Sequence, residues 1–240
     1  MKRLLLICFF SITVFLFPSD GSGQASDAQF WSSAMIDWNF EPIWLAELEF
    51  NYNQLLSDGE PWREYSIQPS IEYYPSRSFD LLAGVYLTDT KQNSQEDTRE
   101  IRPFAGFRWN IVKPEKRVFF RAQSKLEYRY FTSREEGASK RAIRIRNRLD
   151  IFIPITGQSY VSDNDLYGLA FSEVFVNIDD NIDERYKGTF RQYLGLGYRF
   201  SYEWRSELQY VLQLSRDSIT DDNFDTTSNV IYIIVKRYFQ

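Results

Sequence analysis

In the stretch RAIRIRNRLDIFIPI, residues Arg141 to Ile155, apolar and charged side chains alternate. Taken in alternation it separates into a row of Ile143, Ile145, Asn147, Leu149, Ile151 and Ile153 and a row of Arg144, Arg146, Arg148 and Asp150. A helix would spread those arginines around its circumference, whereas a strand lines them up on one side. The pattern predicts a long strand with one apolar and one charged face.

The same design recurs on both sides of this segment. Strand-like runs cover Gln29–Asn39, Ile43–Leu55, Trp62–Tyr74, Phe79–Asp89, Thr98–Val112 and Arg117–Thr132, then Lys140–Ile155, Asp165–Ile178, Gly188–Tyr202, Glu203–Arg216 and Asn229–Phe239. In the second, Trp44, Ala46, Leu48, Phe50 and Tyr52 oppose Glu47, Glu49, Asn51 and Asn53. In the fifth, Ile101, Pro103, Ala105, Phe107, Trp109 and Ile111 oppose Glu100, Arg102, Gly106, Arg108 and Asn110. In the sixth, Val118, Phe120, Ala122, Leu126, Tyr128 and Tyr130 oppose Arg121, Gln123, Lys125, Glu127 and Arg129. Short connections such as Phe40–Pro42 and Pro75–Ser78 alternate with longer polar ones such as Thr90–Asp97 and Asp217–Ser228, and Gly157–Asn164 departs from the rhythm. That is the layout of an antiparallel up-and-down meander.

Alternation alone does not say which face is outside, because a soluble barrel and a membrane barrel invert it. Three features favour a membrane barrel. The charged face prefers arginine, whose forked guanidinium suits a packed, ion-paired interior, while Lys91, Lys113, Lys116 and Lys187 sit in connections. Aromatics lie near the ends of the apolar rows, as Trp44 and Tyr52, Tyr65 and Tyr73, and Tyr202 and Trp204. The runs are also long enough to cross a bilayer at a tilt. The reading is an all-β, antiparallel up-and-down transmembrane barrel of ten to twelve strands. Twelve is preferred because single-chain bacterial barrels have even counts. A soluble periplasmic β-barrel carrier is the alternative class.

The first residues supply an export route. Lys2 and Arg3 precede an apolar run from Leu4 to Phe17, and Gly21 and Gly23 suit a signal-peptidase site. The run falls short of the roughly 20 residues a spanning helix needs. Residues 1–23 are therefore expected to be a removed signal peptide and residues 24–240 the barrel, with Gln24, Ala25 or Ser26 as its first residue. The sole cysteine, Cys8, would leave with the signal, and there is no histidine. A Ser–His–Asp triad, a Cys–His dyad and a His-ligated zinc are thereby excluded. The net charge of −5 gives no reason to expect nucleic-acid binding.

The segments NRLDIFIPI, FSEVFVNI (Phe171–Ile178), RQYLGLGYRFS (Arg191–Ser201) and EWRSELQYVLQ resemble the bacterial outer-membrane β-barrel family catalogued as domain of unknown function 2490. The resemblance covers most of the mature chain in the same order and is clearest in the C-terminal half. It implies a barrel in the outer membrane of a Gram-negative bacterium, with that lipid bilayer as its surroundings. It implies no activity.

The residues that remain for function are charged. Arg144, Arg146 and Arg148, with Arg102, Arg108, Arg121, Arg129, Arg199 and Arg205, could draw an anion into a pore. Glu47, Glu49, Glu127, Asp150, Glu173 and Glu207 share the same side, and such a mixed set is expected to fill a narrow lumen with interstrand salt bridges. Paired carboxylates such as Glu47 and Glu49 permit acid–base chemistry, but neutralisation of arginine is their simpler role. The acidic loop Asp217–Asp225 lacks an EF-hand pattern. The expectation is a structural or partner-binding barrel without catalysis, cofactor or metal, its protein partner and oligomeric state open. A narrow solute or anion channel stands second.

Overall fold

A computed structural model of the chain describes residues 27–56, 61–92, 97–133, 139–178, 187–216 and 226–239. The export signal, its cleavage point and the acidic loop Asp217–Asp225 lie outside the described residues. Eleven strands follow one another: β1 (Asp27–Glu41), β2 (Trp44–Leu55), β3 (Trp62–Ser76), β4 (Phe79–Gln92), β5 (Thr98–Val112), β6 (Phe119–Ser133), β7 (Ser139–Pro154), β8 (Asp165–Asn177), β9 (Lys187–Arg199), β10 (Trp204–Arg216) and β11 (Thr226–Phe239). Each pairs antiparallel with the next, and β1 pairs with β11 to close the barrel.

The preferred count of twelve is corrected to eleven. In a meander every strand reverses the one before, so an odd number leaves the first and last running the same way. Closure then needs a parallel seam, and β1 and β11 form one in continuous register from Asp27↔Ser228 to Trp38↔Phe239. Lys236 of β11 staples it, reaching Asp37 of β1 at 2.8 Å and Glu47 of β2 at 2.7 Å.

The two faces of each strand differ as alternation requires. On β7, Leu149 is 47% exposed while its neighbour Asp150 is fully buried. The outward row continues around the barrel through Phe50, Ile71, Leu81, Phe107, Leu126, Val174, Leu196, Leu208 and Ile233, all exposed. Near its two margins aromatics pair across strands, Trp44 on Tyr73 at 4.6 Å and Tyr52 on Tyr65 at 5.1 Å between ring centroids. The outside is an apolar belt, and the inside mixes charged and polar groups with buried rings.

The two ends of the barrel are built differently. At one end lie the connections 42–43, 77–78, 113–118, 155–164 and 200–203, here called the turn end; the opposite loop end carries the others. The irregular connection after β7 folds back over the turn end. It is fastened by Asp165, whose Oδ1 accepts from Thr156 N at 3.2 Å, Thr156 Oγ1 at 2.6 Å and Gly157 N. Asn164 takes a left-handed φ of 52° that an Asn tolerates better than most residues.

Candidate functional site

The lumen is where the charged face of every strand converges. In the middle of β5 to β8 the side chains form a lattice. Arg102 and Arg129 both grip Glu100, at 2.5 and 2.7 Å. Arg144 reaches Glu127 at 2.6 Å, and Arg146 reaches Glu173 at 2.5 Å. Arg148 and Arg121 share Asp150 at 2.5 and 2.6 Å, and Arg108 binds Glu72. Registry explains two of these pairs directly, since Arg144 lies opposite Glu127 and Arg121 opposite Asp150. Arg146 instead reaches Glu173 diagonally from its place opposite Phe175, and Arg148 turns to Asp150 two residues along its own strand.

The other sequence-derived candidates take separate positions. Glu47 belongs to the seam through Lys236. Glu49 accepts from Ser33 Oγ at 3.1 Å and Gln68 Nε2 at 3.3 Å instead of from a cation. Arg199 stands apart from the lattice at the turn end, donating to Asp163 and the Tyr202 carbonyl, each at 3.3 Å. Arg205 donates to the Tyr160 hydroxyl, and Glu207 accepts from Tyr167 Oη and Gln209 Nε2, both at 2.7 Å.

On β6 to β8 the inner face changes from charged to aromatic toward the turn end. Phe152 stacks with Phe119 at 5.4 Å, Tyr160 at 4.3 Å and Phe171 at 5.1 Å, and Phe171 continues to Tyr193 at 5.9 Å. Tyr160 is supplied by the folded-back connection and meets Tyr167 edge-on at 5.0 Å. Burial pushes its phenol up to about 12, so it keeps its proton beside Arg205. Tyr167 lies flat over Gly197, its register partner on β9; a Cβ there would run into the ring. Lattice and stack are joined where Arg148 sits 4.2 Å above Phe171, while Arg144 lies 4.6 Å above Phe175, a ring outside the stack.

Several of these groups escaped the sequence reading. Phe104, Phe119, Phe131, Phe152, Phe171 and Phe175 are buried inside, although their type suits the outer belt. Asp37, Lys236 and Arg191 were also missed. Between these groups lies a cavity of about 300 Å³ bordered by Glu47, Glu49, Arg102, Lys125, Arg146 and Arg191 among others. Among the described residues no group of three or more carboxylate, cysteine or histidine side chains could hold a metal ion.

The family described as "Protein of unknown function (DUF2490)" matches residues 28–224, nearly all of the strands. The chain belongs to this family. None of the curated proteins matches it. Among solved structures it is similar to the NanC porin, at 11% identity and a TM-score of 0.47, over 85% of this chain and 95% of that one. It is also similar to the translocator domain of the autotransporter NalP from Neisseria meningitidis, at 11% identity and a TM-score of 0.40, over 72% of this chain and 70% of that one.

Proposed function

We propose that the protein is an outer-membrane barrel with a filled lumen, acting by what it holds or presents and not by what it conducts. The observation that carries this reading is how much of the inner face is occupied, by ion pairs at mid-depth on β5 to β8 and by stacked rings beside them, with a cavity of about 300 Å³ left between. Eight-stranded barrels are filled by their side chains alone and sixteen-stranded ones keep an aqueous channel. At eleven strands, long arginines, their carboxylates and an aromatic layer supply the volume that closes the gap. The membrane setting is supported by the apolar outer belt, in which strand after strand exposes large apolar side chains; soluble monomers rarely expose contiguous apolar patches of more than a few hundred Å². An export signal in residues 1–23 would deliver the chain there.

Fractionation tests the location. The protein should be found with outer membranes and should migrate faster on a gel unboiled than boiled, because a closed barrel resists SDS. Recovery in the soluble periplasm would overturn the membrane reading. The filled lumen is tested by proteoliposomes, which should swell no faster in a sugar solution than protein-free vesicles; rapid swelling would favour a channel.

A further inference from the structure

The geometry points to a binding site for a small oxyanion, a carboxylate or phosphate group, on the lumenal side of β1, β9, β10 and β11, built from Gln29, Arg191, Gln213 and Ser228. It goes beyond the filled-barrel reading and stands independently of it.

Two glutamines carry the argument. Trp31 Nε1 donates to Gln29 Oε1 at 2.9 Å, and Arg191 Nε donates to Gln213 Oε1 at 2.6 Å. An indole N–H and a guanidinium have no acceptor capacity, so each fixes the amide with its carbonyl turned toward it. Flipping either amide would set donor against donor. Both NH₂ groups therefore face the other way, and both are buried with no hydrogen-bond partner. Gln29 is 1% and Gln213 0% exposed. The hydroxyl of Ser228, the register partner of Gln213, is equally unpaired. Native interiors leave few such groups unsatisfied.

These groups form one cluster. The Arg191 guanidinium lies 4.9 Å from the Trp31 ring, so the two donors that lock the amides touch each other. Gln29, Trp31, Arg191 and Gln213 all border the lumenal cavity. Arg191 is also poorly neutralised. Its nearest carboxylate, Glu173, stands 3.8 Å away and is already held by Arg146 at 2.5 Å and by Tyr193 Oη at 3.1 Å.

Two amide NH₂ groups, a hydroxyl and an under-compensated guanidinium call for a partner that accepts only and carries negative charge. Carboxylates and phosphates meet both conditions. A metal ion would find no ligand among these donors, and a neutral polyol would leave the charge unmet. Deeper in the lumen the polarity reverses. Gln209 spends its NH₂ on Glu207 and leaves its carbonyl oxygen unpaired, which confines the site to the loop-end half.

The test uses the full-length barrel folded in detergent, titrated with inorganic phosphate, acetate or glucose against chloride at constant ionic strength. Phosphate or acetate should give a saturable calorimetric signal and raise the unfolding midpoint, and glucose should do neither. The stronger of the two anions identifies the oxyanion class. Gln213→Glu would hand Arg191 an internal carboxylate, and Gln29→Glu would place one beside Trp31. Each should lower the anion affinity by about tenfold or more, the worth of a charge-assisted hydrogen bond. If one variant fails to fold, the other and the wild-type titration still decide. No response to either anion, or undiminished affinity in the folded variants, would overturn the site.

Discussion

The lumen carries two chemistries on one inward face, and their contrast is instructive. Around Arg144, Arg146, Arg148 and Glu173 the chain buries ion pairs; around Phe119, Phe152, Tyr160 and Phe171 it buries rings. The stack is held by burial and shape, so its members tolerate exchange for side chains of similar volume. The lattice is different in kind. Each charge has left water on condition that its partner stays, and removing one partner strands the other. Similar strands thus give one region that forgives substitution and one that does not.

The largest expected effect comes from breaking the lattice at a carboxylate that several groups share. Glu173→Ala should destabilise the barrel by about 3–5 kcal/mol, because Arg146 loses its closest carboxylate and Tyr193 its acceptor. Denaturant unfolding in detergent checks it; a loss below 1 kcal/mol, on the order of an exposed pair, would show that the lattice is solvated. Next comes the outer face. Ile145→Arg should cost about 2–4 kcal/mol in lipid, measured by unfolding from vesicles. If Ile145→Arg inserted as well as wild type while Arg146→Leu did not, the two faces would be reversed. Within the stack, Phe152→Leu should cost only about 1–1.5 kcal/mol by the same unfolding assay; a loss as large as that of Glu173→Ala would erase the distinction. Smallest is the salt effect. Raising salt from about 0.1 to 1 M shortens the screening length to about 3 Å, yet the wild-type unfolding midpoint should hardly move because the pairs are buried.

The same contrast explains what could be read from residues alone. The lattice was legible because Arg144, Arg146 and Arg148 are unmistakable in alternation, and the bounds of β5, Thr98–Val112, coincide with its sequence run. The stack was not, because polarity was allowed to stand for direction. Phe152 follows Asp150 by two residues and Phe171 precedes Glu173 by two, so parity with the charged neighbours did mark them as inward. The length anomaly at Gly157–Asn164 was likewise the trace of Tyr160 folding under the barrel. The seam was beyond reach: Lys236 and Glu47 are 189 residues apart, and nothing local announces that β11 returns to β1 in parallel. The preference for an even strand number then gave way to the register of that seam. The unpaired amides of Gln29 and Gln213 were hidden for another reason, since they depend on which neighbour donates to the carbonyl.

Lattice and stack together close the lumen, and planar-bilayer conductance reads out whether they do. Wild-type protein inserted from detergent should give no steady current in a salt gradient, whereas the double variant Phe152→Ala, Tyr160→Ala, which deletes two rings packed 4.3 Å apart, should open a small conductance. A stable, large, anion-selective current through the wild type would mean that the lumen is open.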